Sequence, residues 1–243
     1  MEEKKVEDIK KEEIKEEIVN DLKPKKKMGI VKKILLVLLI LFILFAGYLW
    51  IIWPSIKASI SGSWKPIIYI YPTEDIDVSI KVSNEELFTV TYPKYNDGWK
   101  VRALTDGNLI DENGKKYYAL YWEGINKNIS KVKEDGFVVK GEDCAEFLEE
   151  KLEILGLNYK EQNEFIMFWL PKLEKNKYNY IRFQTEDEIN DNMELYIDPK
   201  PDTLIRVRMD YKALDKKIKV KKQKLTKVER HGYTIVEWGG TEI

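Results

Sequence analysis

The sequence has 243 residues, 34% of them charged and 44% hydrophobic, enough for one globular domain of ordinary size and an anchor. Its 41 Lys and Arg against 42 Asp and Glu leave a net charge of −1, which argues against a dedicated nucleic-acid binder. A single cysteine, Cys144, excludes an intrachain disulfide, and the absence of bridges fits a bacterial surface protein better than a eukaryotic secreted one.

Residues 1–33 are expected to form a charged cytoplasmic tail. Val6, Ile9, Ile14, Ile18 and Leu22 mark a thin apolar stripe at near-helical spacing. Glu–Lys pairs would support a solvated, partly helical tail, and a docking helix for a cytoplasmic partner is the sharper alternative. The run Lys23–Lys33 is lysine-rich and carries no acid. Residues 34–53 follow without a charge, the length that crosses about 30 Å of hydrocarbon as a helix. Tyr48, Trp50 and Trp53 crowd its far end, as interfacial aromatics do. Lysines just before a span hold that side in the cytoplasm, so residues 54–243 are expected outside the cell membrane. The lipid bilayer is thus the first expected partner. A cleaved signal peptide would have a shorter apolar core and small residues where these aromatics stand.

Pro54 is expected to stop the helix, and residues 54–63 to form a linker. The outer domain is expected over 64–243. Residues 76–82, 88–92 and 99–103 alternate apolar and polar side chains, the period of half-buried strands. Asn108–Asp111 and Lys116–Trp122 flank Asn113-Gly114 and predict a β-hairpin. The period then changes. Asp143 and Glu146 predict a capping box before Phe147, Leu148, Leu152 and Leu155, with Gly156 as the stop. Asn158 and Glu161 predict a second box and a second helix, with a kink or restart at Pro171. Strands are expected again at 180–185, 193–197, 203–209, weakly at 218–223, and at 232–238, with a charged loop over 210–217. The fold class predicted is α+β: one N-terminal transmembrane helix, then a mainly antiparallel sheet with an inserted helical hairpin.

Few residues point to chemistry. One histidine and one cysteine supply no zinc set, and no phosphate loop, dinucleotide fingerprint or nucleophile elbow is present. No catalytic residue, metal ligand or cofactor is therefore assigned. A Cys144–His231 dyad is formally available, but a cysteine in the first turn of a helix is more simply a small packed residue. The sequon Asn128-Ile129-Ser130 matters only in a eukaryotic secretory pathway.

The notable constellation is a glutamate beside a tryptophan at two strand ends, Trp122-Glu123 and Glu237-Trp238. Aromatic faces with such carboxylates suit a sugar ring, and two carboxylates flanking one glycosidic bond would suit its hydrolysis. The plainer reading pairs the glutamates with strand arginines, of which Arg182, Arg206 and Arg208 are at hand. Arg206 and Arg208 share one sheet face, expected to be solvated. Trp122, Glu123, Arg182, Glu237 and Trp238 are the candidate binding residues, for a cell-surface glycan or protein.

The runs KPIIYIYP (65–72), YWEG (121–124), FWLP (168–171), YNYIRFQT (178–185) and VEWGG (236–240) resemble a family of uncharacterised, mostly bacterial proteins. The resemblance covers about residues 64–240. It implies one integral outer domain and brings no activity or catalytic residue with it. The function expected is a non-catalytic binding domain anchored at the membrane, with a glycan-acting hydrolase using paired glutamates as the alternative.

Overall fold

The computed structural model describes Lys15 and residues 29–61, 63–64, 66–125 and 131–243. The apolar stripe of the tail, most of the lysine run and the sequon lie outside the described residues. The chain divides into two compact units, Met1–Pro54 and Ser55–Ile243.

Lys15 is helical, and the helix labelled α1 runs Ile30–Ser61. Its stretch Ile30–Trp50 is long and apolar enough to cross a membrane, and none of that stretch is buried by protein. Pro54 does not end the helix, and the linker expected at 54–63 is helical to Ser61. A proline lacks one N–H and bends a helix locally, yet the bonds of the neighbouring turns can carry the helix past it.

In the second unit the strands, in chain order, begin with β1 (Ser63–Trp64), β2 (Ile67–Tyr71), β3 (Ile76–Val82), β4 (Phe88–Tyr92) and β5 (Trp99–Ala103). Next come β6 (Leu109–Asp111), β7 (Lys116–Tyr117), β8 (Leu120–Ile125) and β9 (Asp135–Lys140). Helices α2 (Cys144–Ile154) and α3 (Tyr159–Leu173) follow, then β10 (Tyr178–Phe183) and the short α4 (Glu186–Asn190). The last strands are β11 (Leu195–Asp198), β12 (Thr203–Leu214), β13 (Lys221–Lys222) and β14 (Thr234–Glu242).

Nine strands form one sheet, β8-β2-β14-β12-β10-β9-β13, with β1 and β4 also paired to β8. Five form a second, β11-β3-β5-β6-β7. Pairing is antiparallel except for β12 with β14 and β13 with β9. The hairpin at Asn113-Gly114 joins β6 and β7, with Gly114 at φ 78°. The single strand expected over 116–122 is divided: β7 closes the small sheet and β8 enters the large one.

Alternation along each strand of the large sheet fills two cores. Tyr69, Ile205, Val207, Met209, Val236 and Trp238 face α2 and α3, meeting Leu148, Leu152, Phe165 and Trp169. Ile68, Ile70, Leu120, Trp122 and Ile235 face the small sheet, meeting Val78, Ile80, Trp99 and Val101. The layers are therefore helices, large sheet and small sheet.

Asn158 and Glu161 form the capping box of α3, each accepting from the other's backbone N–H. Asp143 makes no side-chain cap to α2, because a 3-10 turn over Gly141–Asp143 leads directly into the helix. Pro171 lies inside α3 near its end, where the helix continues to Leu173. Residues 210–214 belong to β12 rather than to a loop, and β14 continues past Trp238 to Glu242. Strands β1, β2 and β9 and helix α4 have no counterpart among the expected elements.

Candidate functional site

The register of β12 and β14 sets Arg206 opposite Glu237. Both side chains leave the sheet on the face away from α2 and α3, since Ile205, Val207, Val236 and Trp238 take the other face. Arg206 donates from Nε to Glu237 Oε2 at 2.7 Å, and its side chain is only 3% exposed. It also donates to Asn190 Oδ1 at 2.7 Å and to the Met193 carbonyl at 2.8 Å. Trp122 reaches across β2 and donates from Nε1 to Glu237 Oε1 at 3.3 Å. Arg208 comes within 3.6 Å of the same carboxylate and sets its guanidinium carbon 5.5 Å from the Trp122 ring centre.

Glu237 is 2% exposed. Burial pushes its carboxyl up, but Arg206 and Arg208 outweigh that push and hold it below the usual glutamate range. The group is thus an internal anion with both oxygens occupied. The face expected to be solvated is buried, because α4 and the small sheet lie over it.

Arg182 sits on the same sheet face and is equally committed. It donates to Asp135 Oδ1 at 3.0 Å and to Glu188 Oε2 at 2.7 Å. Glu188 also accepts from the backbone of Thr185, closing the capping box of α4. Helix α4 therefore fastens to the sheet at two arginines, Arg182 through Glu188 and Arg206 through Asn190. Burial raises the Glu188 carboxyl, but Arg182 and the Thr185 amide bring it down to about 2.

Trp122 and Trp238 lie on opposite faces of the large sheet. Trp122 packs against Phe88 at 5.0 Å in the core between the sheets. Trp238 packs against Phe165 at 5.3 Å and Tyr69 at 6.5 Å in the core under the helices. Neither ring offers a platform to a sugar. Strand alternation puts Glu123 on the face opposite Trp122, whereas Glu237 shares the Trp122 face. Glu123 accepts from the hydroxyl of Tyr121. The two glutamates therefore cannot flank one bond, and the paired-carboxylate arrangement needed for glycoside cleavage is not formed.

The Cys144–His231 dyad is not formed either. Cys144 is fully buried, donating to the Lys140 carbonyl at 3.2 Å and accepting from Asn179 Nδ2 at 3.4 Å. Burial pushes its thiol up to about 11, against the smaller opposing pull of Asn179. His231 has a side chain 76% exposed, 3.9 Å from Glu229. Among the described residues no group of three or more His, Cys, Asp or Glu is placed to hold a metal ion.

The structure thus brings together Trp122 and Glu237, ties Arg182 to the same face through α4, and leaves Glu123 and Trp238 on the other. Sequence reasoning missed Asn190, Asp135 and Glu188 as partners. The Thr185–Glu188 box was the one available signal, since it marks a helix start beside the strand that carries Arg182.

An uncharacterised protein of Butyrivibrio fibrisolvens, described as lying in the bglA 3' region, is 34% identical over 73 residues, 29% of this chain and 75% of that protein. The chain belongs to that protein's family. No family model and no solved structure matches the chain. The relative carries no described activity, so the geometry above is what bears on function.

Proposed function

We propose that the chain is a single-pass membrane protein whose C-terminal α+β unit stands outside the cell as a non-catalytic binding domain. The observation that carries this reading is α1, whose stretch Ile30–Trp50 is apolar and meets no covering protein. A helix of that length in water would expose an unfavourable apolar surface on every side, whereas lipid covers it. The lysines ahead of it favour a cytoplasmic N-terminus. The non-catalytic part of the reading is supported by the internal commitment of Glu237, Arg206 and Arg182, which hold layers together and so offer neither a paired-carboxylate site nor a binding surface. The helical pair α2–α3 is read as an insertion between the strands of that domain. A cell-surface protein or glycan is the expected partner.

Orientation is tested with a single exposed cysteine. Cys144 is buried, so it gives a quiet background. Glu112→Cys at the exposed hairpin turn should react with a membrane-impermeant maleimide on intact cells. Labelling only after permeabilisation would place the domain inside and overturn the reading.

A further inference from the structure

Strand β9 pairs with β10 along one edge, from Ile181 opposite Phe137 to Tyr178 opposite Lys140. Its other edge meets a strand only at its start, and at its far end the Lys140 carbonyl accepts from the Cys144 thiol, which leaves the stretch around Val138 open. At the start β13 sets Lys221 opposite Asp135 and Lys222 opposite Gly136, and the Gln223 N–H donates to the Gly136 carbonyl at 3.2 Å. Among the described residues no strand pairs with that edge beyond Gly136. An extended edge presents main-chain donors and acceptors in alternation, ready for another strand.

A cleft of about 590 Å³ opens at this edge, between β9, α2 and the segment 217–220. Its floor is apolar: Phe137 and Val139 are buried, and Phe147 meets Phe137 edge-on at 5.1 Å. Ile218 and Val220 line the opposite wall. The rest of the lining includes Lys151, Lys217, Lys219 and Lys222, and no Asp or Glu. Lys151 is the most constrained. Its side chain is 8% exposed, with the ammonium 5.5 Å and 5.6 Å from the ring centres of Phe137 and Phe147. The carboxylate it touches, Glu150, lies on a side chain 64% exposed.

We propose that this cleft is a docking site for an extended acidic peptide segment of a partner protein, which adds to the free edge of β9 as a further strand. The inference rests on the reading of the domain as a binding module and names where and what it binds. A strand sends alternate side chains to opposite sides. An alternating segment would put apolar residues over Phe137 and Val139 and carboxylates among the lysines. Main-chain bonds to the edge would supply affinity and the lysines would supply selectivity. An anionic lipid would satisfy the charge but leave the strand edge without partners, which is why a peptide is the occupant argued.

The test uses the full chain in nanodiscs of neutral phosphatidylcholine and a fluorescein-labelled alternating Glu–Val heptapeptide, read by anisotropy. Saturable binding is expected, and roughly tenfold or greater weakening in Lys219→Glu/Lys222→Glu, both exposed positions. N-methylation of alternate amides of the peptide should weaken binding by a similar factor, because it removes main-chain donors. Unchanged circular dichroism of the double variant shows that its fold is kept. Equal binding of the N-methylated peptide or of a Lys–Val heptapeptide overturns the proposal. So does absence of peptide binding with lysine-dependent recruitment to phosphatidylglycerol vesicles, which would make the cleft a lipid site. Self-association of the double variant without any peptide binding also overturns it, since the lysines would then serve only to keep the edge single. If the peptide fails but the full chain binds a purified cell-wall glycan, the docking site falls and the binding-domain reading stands.

Discussion

Arg206 and Glu237 stand directly opposite each other on two parallel strands, joined by a 2.7 Å hydrogen bond inside the protein. Charges buried this deeply are tolerable only as a matched set, and removing one partner leaves the other desolvated. Glu237→Gln leaves Arg206 and Arg208 without their shared carboxylate. It should destabilise the domain by about 3–5 kcal/mol. Denaturant unfolding in detergent, followed by tryptophan fluorescence, measures this. A change below about 1 kcal/mol would mean that the pair adds no more than an exposed one.

Glu188 gives the domain an acid-sensitive clasp. Its carboxyl is held at about 2 in the folded chain and sits near 4.5 when free. A depressed folded value contributes stability that is present above about pH 4.5 and is lost as pH falls toward 2. Thermal unfolding midpoints should therefore drop across that window. Glu188→Gln should lower the midpoint at pH 7 and flatten its dependence on pH between 4.5 and 2. An unchanged slope would remove the Arg182–Glu188 contact from the account.

Cys144 should be silent toward thiol reagents. Its burial and its raised thiol leave little thiolate at pH 8. Native protein should show no labelling by dithionitrobenzoate over an hour and one full equivalent once unfolded in guanidinium. Rapid native labelling would mean that the start of α2 opens.

Gly240 tests the packing between the large sheet and α3. A methyl group added there would sit 2.7 Å from the Met209 carbonyl and 2.8 Å from the Trp169 ring. Neither neighbour is a flexible chain end, so the added volume forces sheet and helix apart. Gly240→Ala should cost about 1–3 kcal/mol or more. Trp169→Phe in the same chain should recover part of that loss, and no recovery would place the strain elsewhere.

Much of the fold was legible from apolar periodicity, which marks a buried face in β3 and β5, whereas in β4 Val90 and Tyr92 are exposed. Strands β3, β4 and β5 lie where their alternation predicts them, and α3 starts at the box read from Asn158 and Glu161. Strand β9 was not legible, since Asp-Gly-Phe-Val-Val-Lys puts consecutive apolar residues on two covered faces and shows no alternation. The end of β12 looks like a charged loop, yet Asp210 is buried and accepts from Gln184 at 2.8 Å. Partners brought from far along the chain hide polar residues that a local pattern places in water. The same holds at the candidate site. The preference of a strand glutamate for an arginine could be read locally, but which arginine depends on the parallel register of β12 and β14. That register pairs strands whose residues lie about thirty apart in the chain, Arg206 with Glu237, and no local pattern reads a pairing of that range.

Strand β14 lies between β2 and β12 although it is the latest strand in chain order. Without it, the ladder of β2 and β8 and the ladder of β12, β10 and β9 are not joined, and Arg206 lacks its counter-ion. In the folded sheet residues 234–242 are, among the described residues, the one ladder between those two groups of strands. The two halves of the large sheet therefore share their hydrogen-bond ladder only through the last strand of the chain, so shortening β14 should loosen both halves at once.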